Sequence, residues 1–208
     1  MNDFSMTALV SAFSRAWHAE NNEVRVFNDS VARKLLSDEE YRGIADNMSG
    51  GIGYFESSFA VERVLAPAPL ARSAFAESAL ENAAVIGAKQ YLILAAGYDT
   101  FAYRQSDFAK NMSIFEVDRA EMLADKCRRA KAAELSEADN VVHVGTDLSD
   151  SGWANALAKS GFSVEKVSFC SLLGIVYYLT NGQFSELISL LSRLVPNNSL
   201  VVFDYPTT

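Results

Sequence analysis

The chain has 208 residues, 50% of them hydrophobic and 21% charged, which suits one globular domain whose core needs no disulfide or metal staples. A net charge of -8 excludes the diffuse positive field on which phosphate-backbone binding depends, so nucleic acid is not expected as a partner. The two cysteines, Cys127 and Cys170, lack the paired spacing of a zinc site or a disulfide framework, which points to a reducing cytoplasm and to no metal.

In chain order, the N-terminus lacks the basic start and continuous apolar stretch of a secretory signal. Residues 6–20 instead place Leu9, Val10, Phe13, Ala16 and Trp17 at helical spacing, with Ser14, Arg15 and Glu20 between them. A second helix is expected over 30–36, capped by Asp29 or Ser30. Gly50, Gly51 and Gly53 then read as a turn or loop, because no strand precedes them and no Gly-Lys-Ser/Thr follows. Pro67 and Pro69 in "LAPAP" are expected to end the helical stretch before them.

From Leu70 the pattern alternates between helix and short apolar strand. "ARSAFAESALENAAVIGA" reads as a helix stopped by Gly87. Five strands follow, "QYLILAA", "SIFEVD", "NVVHVGTD", "VEKVSFCSLLGI" and "SLVVFDY", with helical segments between them. That order implies an α/β fold with a mostly parallel sheet covered by helices on both faces. Residues 1–69 read as an N-terminal helical cap and 70–208 as the core, the two forming one structural unit. The longest nearly apolar run, 167–179, is too short to span a membrane, so a soluble protein is expected.

In such a sheet ligands bind beyond the carboxyl ends of the strands. After the first strand comes Ala96-Gly97, where a residue without a side chain lets the backbone approach a ligand. About twenty residues on, at the end of the second strand, Asp118 stands where an acid can accept from both ribose hydroxyls of an adenine nucleoside. It could equally cap the following helix. Asp147 and Leu148, after the third strand, suit an adenine amine and ring respectively, or form a plain acidic loop. Phe101 and Ala102 occupy the place where the dinucleotide fingerprint would be completed, which favours an adenosyl ligand without phosphates. His143, inside an apolar strand, reads as a satisfied core or edge histidine.

The segments "SMTALVSAFSRA", "VFNDSVARKLL", "ARSAFAESAL", "GAKQYLILAAGYDTFAYR", "IFEVDRAEMLADK", "TDLS" and "GIVYYLT" together resemble the leucine carboxyl methyltransferase-like family, including its bacterial small-molecule and polyketide branch. The resemblance covers nearly the whole chain. It implies a Rossmann-like class I methyltransferase fold, S-adenosylmethionine as cofactor, and O-methylation of a small-molecule carboxylate or hydroxyl. It also implies a cofactor-binding set of Arg72 for the methionine carboxylate, Ala96 and Gly97 for the close approach, Asp118 for the ribose, and Asp147 with Leu148 for the adenine. Arg15 matches a basic position near the site, and Tyr178 matches a tyrosine that could face the transferring methyl. A surface arginine, a solvated helix face and a core aromatic are the respective alternatives for Arg72, Arg15 and Tyr178.

The sequence departs from the family pattern at Ala95, where glycine is usual, at Phe101, where arginine is usual, and at Leu173, where a glutamate is common. The family's sheet ends in two antiparallel strands, whereas this sequence stops just after the fifth strand; truncation, self-association or a partner chain would each account for that edge, with association expected over a bare one. These features motivate a second reading, a non-catalytic relative that binds cofactor or a protein partner. A nucleotide-dependent oxidoreductase is a third, disfavoured by the missing glycine spacing.

Overall fold

Strand formation follows from apolar runs too short for helices and rich in β-formers. The computed structural model describes residues 3–51 and 66–205. Its strands are β1 (Gln90–Leu94), β2 (Ser113–Asp118), β3 (Val141–Gly145), β4 (Ser168–Leu172) and β5 (Leu200–Phe203). All are parallel, in the order β3-β2-β1-β4-β5. The order reverses between β1 and β4, the place in such a sheet where a ligand crevice opens. The architecture is the expected Rossmann-like α/β fold.

Six α-helices lie among the described residues: α1 (Asp3–Asn21), α2 (Asp38–Gly51), α3 (Pro67–Val85), α4 (Ala120–Ala132), α5 (Trp153–Lys159) and α6 (Asn181–Leu194). Three boundaries differ from the sequence reading. The expected helix over 30–36 is a single 3-10 turn, Ala32–Leu35, although Asp29 does accept from the Ala32 N–H at its start, at 3.0 Å. Gly50 and Gly51 close α2 instead of forming a loop, and Gly53 lies outside the described residues. Pro67 and Pro69 begin α3, because the first-turn amides they lack would have no intrahelical partner anyway. The stretch they were expected to end also lies outside the described residues. Gly87, at φ 110°, stops α3 as expected, and the Ala88 N–H closes back on the Ala83 carbonyl at 2.9 Å.

The chain divides into two compact units, Met1–Ala74 with Gly97–Arg104 and Asp125–Ser136, and Phe75–Ala96 with Gln105–Ala124 and Glu137–Thr208. The second unit holds the sheet. One face of β1, β2, β3 and β4 supplies Leu92, Leu94, Phe115, Val117, Val144, Cys170 and Leu172, which cluster with Trp153 and Leu157 of α5 and Leu187 and Leu191 of α6. On the other face Tyr91 meets Phe169 edge-on and shares a 3.0 Å hydrogen bond with Ser171. Gln90 is buried at the start of β1 and is satisfied by the Ser163 backbone and the Ser168 hydroxyl. β5 is an edge strand among the described residues and leaves Leu200, Val201 and Phe203 exposed.

In the first unit α1 is buried further round than a single apolar stripe requires. Leu9, Ala12, Phe13 and Ala16 are buried, but so are Ser14, Arg15 and His18. Ser14 and His18 are satisfied by backbone groups close in the chain. Ser14 donates to the Val10 carbonyl at 2.9 Å, and the His18 Nε2 accepts from the Val26 N–H at 3.0 Å. Phe13, Trp17 and Tyr41 form an aromatic cluster between α1 and α2.

Candidate functional site

Register builds the candidate site. Leu94 pairs with Val117 and with Leu172, Asp118 pairs with Gly145, and Leu172 pairs with Phe203, so the five strands finish within one residue of one another. Within the second unit this brings Ala96, Asp118, Asp147, Leu173 and Asp204 to one edge of the sheet. Ala95 leaves β1 in the left-handed region at φ 56°, and the Ala96 N–H then donates to the Val117 carbonyl at 3.2 Å. Gly97, next in the chain, is also left-handed, at φ 50°. Two left-handed residues in three turn the chain sharply and keep backbone at the surface of the turn.

Asp118 is half-buried, and its Oδ1 accepts from the Arg119 N–H at 2.7 Å. That amide precedes α4, so the bond is not the usual N-cap bond to the second or third amide of a helix. The Asp118 carbonyl receives the Thr146 N–H at 2.8 Å, which ties the end of β2 to the turn after β3. Asp147 is exposed there, and its Oδ1 accepts from the Ser149 N–H and hydroxyl at 2.8 and 2.7 Å. Those two bonds hold its carboxyl below the usual carboxylate range. Leu148 is half-buried against the apolar cluster of the sheet.

Beyond β4, Leu173 is half-buried, and the Gly174 N–H and the Tyr177 hydroxyl both donate to Asp204 at 2.6 Å. Tyr178 closes a 3-10 turn, Val176–Tyr178, and is 46% exposed, so it is not a core aromatic. Among the described residues no group of three or more His, Cys, Asp or Glu side chains could hold a metal ion.

The first unit holds Gly97, Arg15 and Arg72. Arg15 is only 7% exposed and all three of its guanidinium nitrogens are engaged: Nε with Asp29 at 2.8 Å, Nη1 with Ser11 at 2.9 Å, and Nη2 with the Tyr98 carbonyl at 2.8 Å. Arg72, half-buried in α3, donates to the same Ser11 hydroxyl at 3.2 Å. Asp29 is fully buried. Burial opposes its charge, but the Arg15 and Arg104 cations outweigh that and hold its carboxyl below the ordinary value. Arg104 also donates to the Thr100 hydroxyl at 2.7 Å.

A second network grips Tyr98 from its other end. Its hydroxyl donates to Asp125 at 2.6 Å, and the Arg129 guanidinium lies 5.0 Å over its ring. Arg129 forks onto Glu40 through two 2.7 Å bonds and also reaches Asp125. Burial raises the Tyr98 phenol, reinforced by its bond to Asp125. For Asp125 burial works in the same upward direction, yet the bonds from Tyr98, Arg129 and Arg128 bring it down to about 2.

In the sequence Asp29 is legible only as a cap, and Tyr98, Arg104, Asp125, Arg129 and Glu40 carry no legible role. The four-residue spacing of Asp125 and Arg129 is readable on a helix. No local signal joins Glu40 to Arg129, or Arg15 to Tyr98.

The residues at the strand ends fit a sugar diol better than a pyrophosphate. An acid ends β2 beside the sharp turn, and the buried Phe101 and Ala102 fill the place where a second close-approach glycine would stand.

The family model described as leucine carboxyl methyltransferase matches residues 8–192. YktD of Bacillus subtilis, named as a proposed S-adenosyl-L-methionine-dependent methyltransferase, is 36% identical over 98% of this chain and 71% of its own length. A protein of Mycolicibacterium paratuberculosis with the same naming is 30% identical, over 90% of this chain and 60% of its own. The chain thus spans between about three fifths and seven tenths of these relatives. Among solved structures, an O-methyltransferase family protein from Burkholderia thailandensis superposes with a TM-score of 0.45 at 16% identity, over 85% of this chain and 57% of that one.

Proposed function

The chain belongs to the leucine carboxyl methyltransferase family, and on that premise we propose that it transfers a methyl group from S-adenosylmethionine to an oxygen of a small-molecule carboxylate or hydroxyl. When bound, S-adenosylmethionine supplies a methyl group already activated by its sulfonium charge. The chain's own task is then to bind, orient and exclude water. In this reading Asp118 accepts from the ribose hydroxyls, Asp147 accepts from the adenine amine and Leu148 packs on the ring. The Ala96-Gly97 backbone admits the adenosyl group, and Arg72 pairs with the methionine carboxylate through a permanently charged fork. A carboxylate acceptor needs no proton removed, so no general base is required for it. Tyr178, exposed beyond β4, belongs to the acceptor side. Cys127 and Cys170 are not joined in a disulfide, which suits a cytoplasmic setting, and no helix among the described residues is long and apolar enough to cross a membrane.

The observation that carries this reading is the level finish of β1 and β2, which sets the Ala96 turn beside Asp118. Titration calorimetry with S-adenosylmethionine and its demethylated product tests it, and absence of binding at about 1 mM rejects it. Asp118→Ala is expected to weaken binding by about 10- to 100-fold, the worth of a hydrogen bond to a charged group, with the melting transition retained. A second reading, cofactor binding without catalysis, draws on Leu173, an apolar side chain at the end of β4. Methylated product from any member of a panel of carboxylic acids and phenols removes it.

A further inference from the structure

The interior of the first unit contains a charged assembly that the reading above does not use. Arg15, Asp29 and Arg104 form one cluster, and both arginines grip the segment just after Gly97. Arg15 takes the Tyr98 carbonyl, Arg104 takes the Thr100 hydroxyl, and Asp29 neutralises both cations at 2.8 and 3.5 Å. Tyr98 is 4% exposed and is held at its far end by Asp125 and Arg129. The residue following the left-handed glycine is therefore fixed at both its carbonyl and its hydroxyl, by separate networks.

Arg15 is poorly suited to a ligand carboxylate. Its charge is already balanced by a fully buried Asp29, and a second anion on its fork would have to displace Ser11 or the Tyr98 carbonyl. Breaking such a buried arrangement is costly. We propose that Arg15 is a positioning residue that serves the cofactor through Tyr98, by fixing the backbone after Gly97, without touching the methionine carboxylate. This rests on the reading that the Gly97 turn binds S-adenosylmethionine.

The test compares two ligands by calorimetry. S-adenosylhomocysteine carries the adenosyl group and the carboxylate; 5′-methylthioadenosine carries the adenosyl group alone. If Arg15 acts through Tyr98, Arg15→Lys weakens both ligands by the same factor, about tenfold, because an ammonium cannot bridge Asp29 and Tyr98 together. Asp29→Asn, which keeps the side-chain volume and removes the balancing charge, is expected to give the same equal weakening. Thr180→Ala, a cap substitution on α6, serves as the control that lowers stability while leaving both affinities unchanged.

Weaker S-adenosylhomocysteine binding with 5′-methylthioadenosine unaffected would show direct contact with the carboxylate and overturn the proposal. Unchanged binding of both ligands would overturn it too. Failure of the unaltered protein to bind either ligand would instead sink the underlying assignment of the turn. Arg15→Lys and Asp29→Asn are compared at a temperature well below each variant's melting midpoint, so that affinity is read on folded protein.

Discussion

Ala95 is the residue whose backbone most clearly opposes its side chain. At φ 56° it sits where a Cβ crowds the following carbonyl, a cost of about 1–2 kcal/mol that glycine escapes. Glycine loses part of that gain to its freer unfolded chain, about 0.4–1 kcal/mol. Ala95→Gly is accordingly expected to stabilise the protein by about 0.5–1 kcal/mol, read as a higher urea midpoint at unchanged slope. An unchanged or lower midpoint would mean that the turn is not strained. Tyr98→Phe tests the other side of the same turn. It deletes the hydroxyl bonded to Asp125 while the ring stays under Arg129, and should cost about 1 kcal/mol. The departure at Ala95 was readable in the sequence as an alanine in a glycine's place, but its left-handed φ was not, since that depends on how β1 leaves the sheet.

At the scale of elements, the five strands appear where apolar runs placed them, most plainly β1 and β4, because a strand buried on both faces is recorded in every one of its residues. Helix ends were harder to place. α6 opens on a capping box in which the Thr180 hydroxyl accepts from the Gln183 N–H at 3.3 Å and the Gln183 side chain accepts from the Thr180 N–H at 2.9 Å. Removing that hydroxyl in Thr180→Ala should lower stability by about 1 kcal/mol in chemical unfolding. α3 starts earlier than its apolar pattern indicates, because Pro67 and Pro69 stand in its first turn, where a missing amide costs no intrahelical bond. The segment 30–36 failed as a helix for a different reason. Asp29, its capping acid, is shared with two arginines, and the chain completes only the turn Ala32–Leu35.

For the molecule as a whole, the first unit's networks make stability depend on acid. Asp29, Glu40 and Asp125 all have folded-state values depressed below the ordinary carboxylate range, Glu40 chiefly by its hydrogen bond from Arg129. A depressed acid contributes stability above its unfolded value and loses it as pH falls through its folded one. The melting midpoint should therefore decline as pH drops from about 4 toward about 2, with no matching decline between pH 5 and 7. Substituting Arg129 by Met should flatten that decline, since Glu40 and Asp125 then lose the cation that lowers them. What the sequence by itself determined was the alternation of strand and helix, the parallel sheet, and the glycine turn with its downstream acid, because each is written in neighbouring residues or at a fixed spacing. Only the tertiary structure decided that Arg15 is interior and that Tyr98 is held from two sides. The bonds of Arg15 to Asp29 and Tyr98, and of Tyr98 to Asp125, join residues 14 to 83 positions apart, and no local pattern records a contact that folding alone brings together.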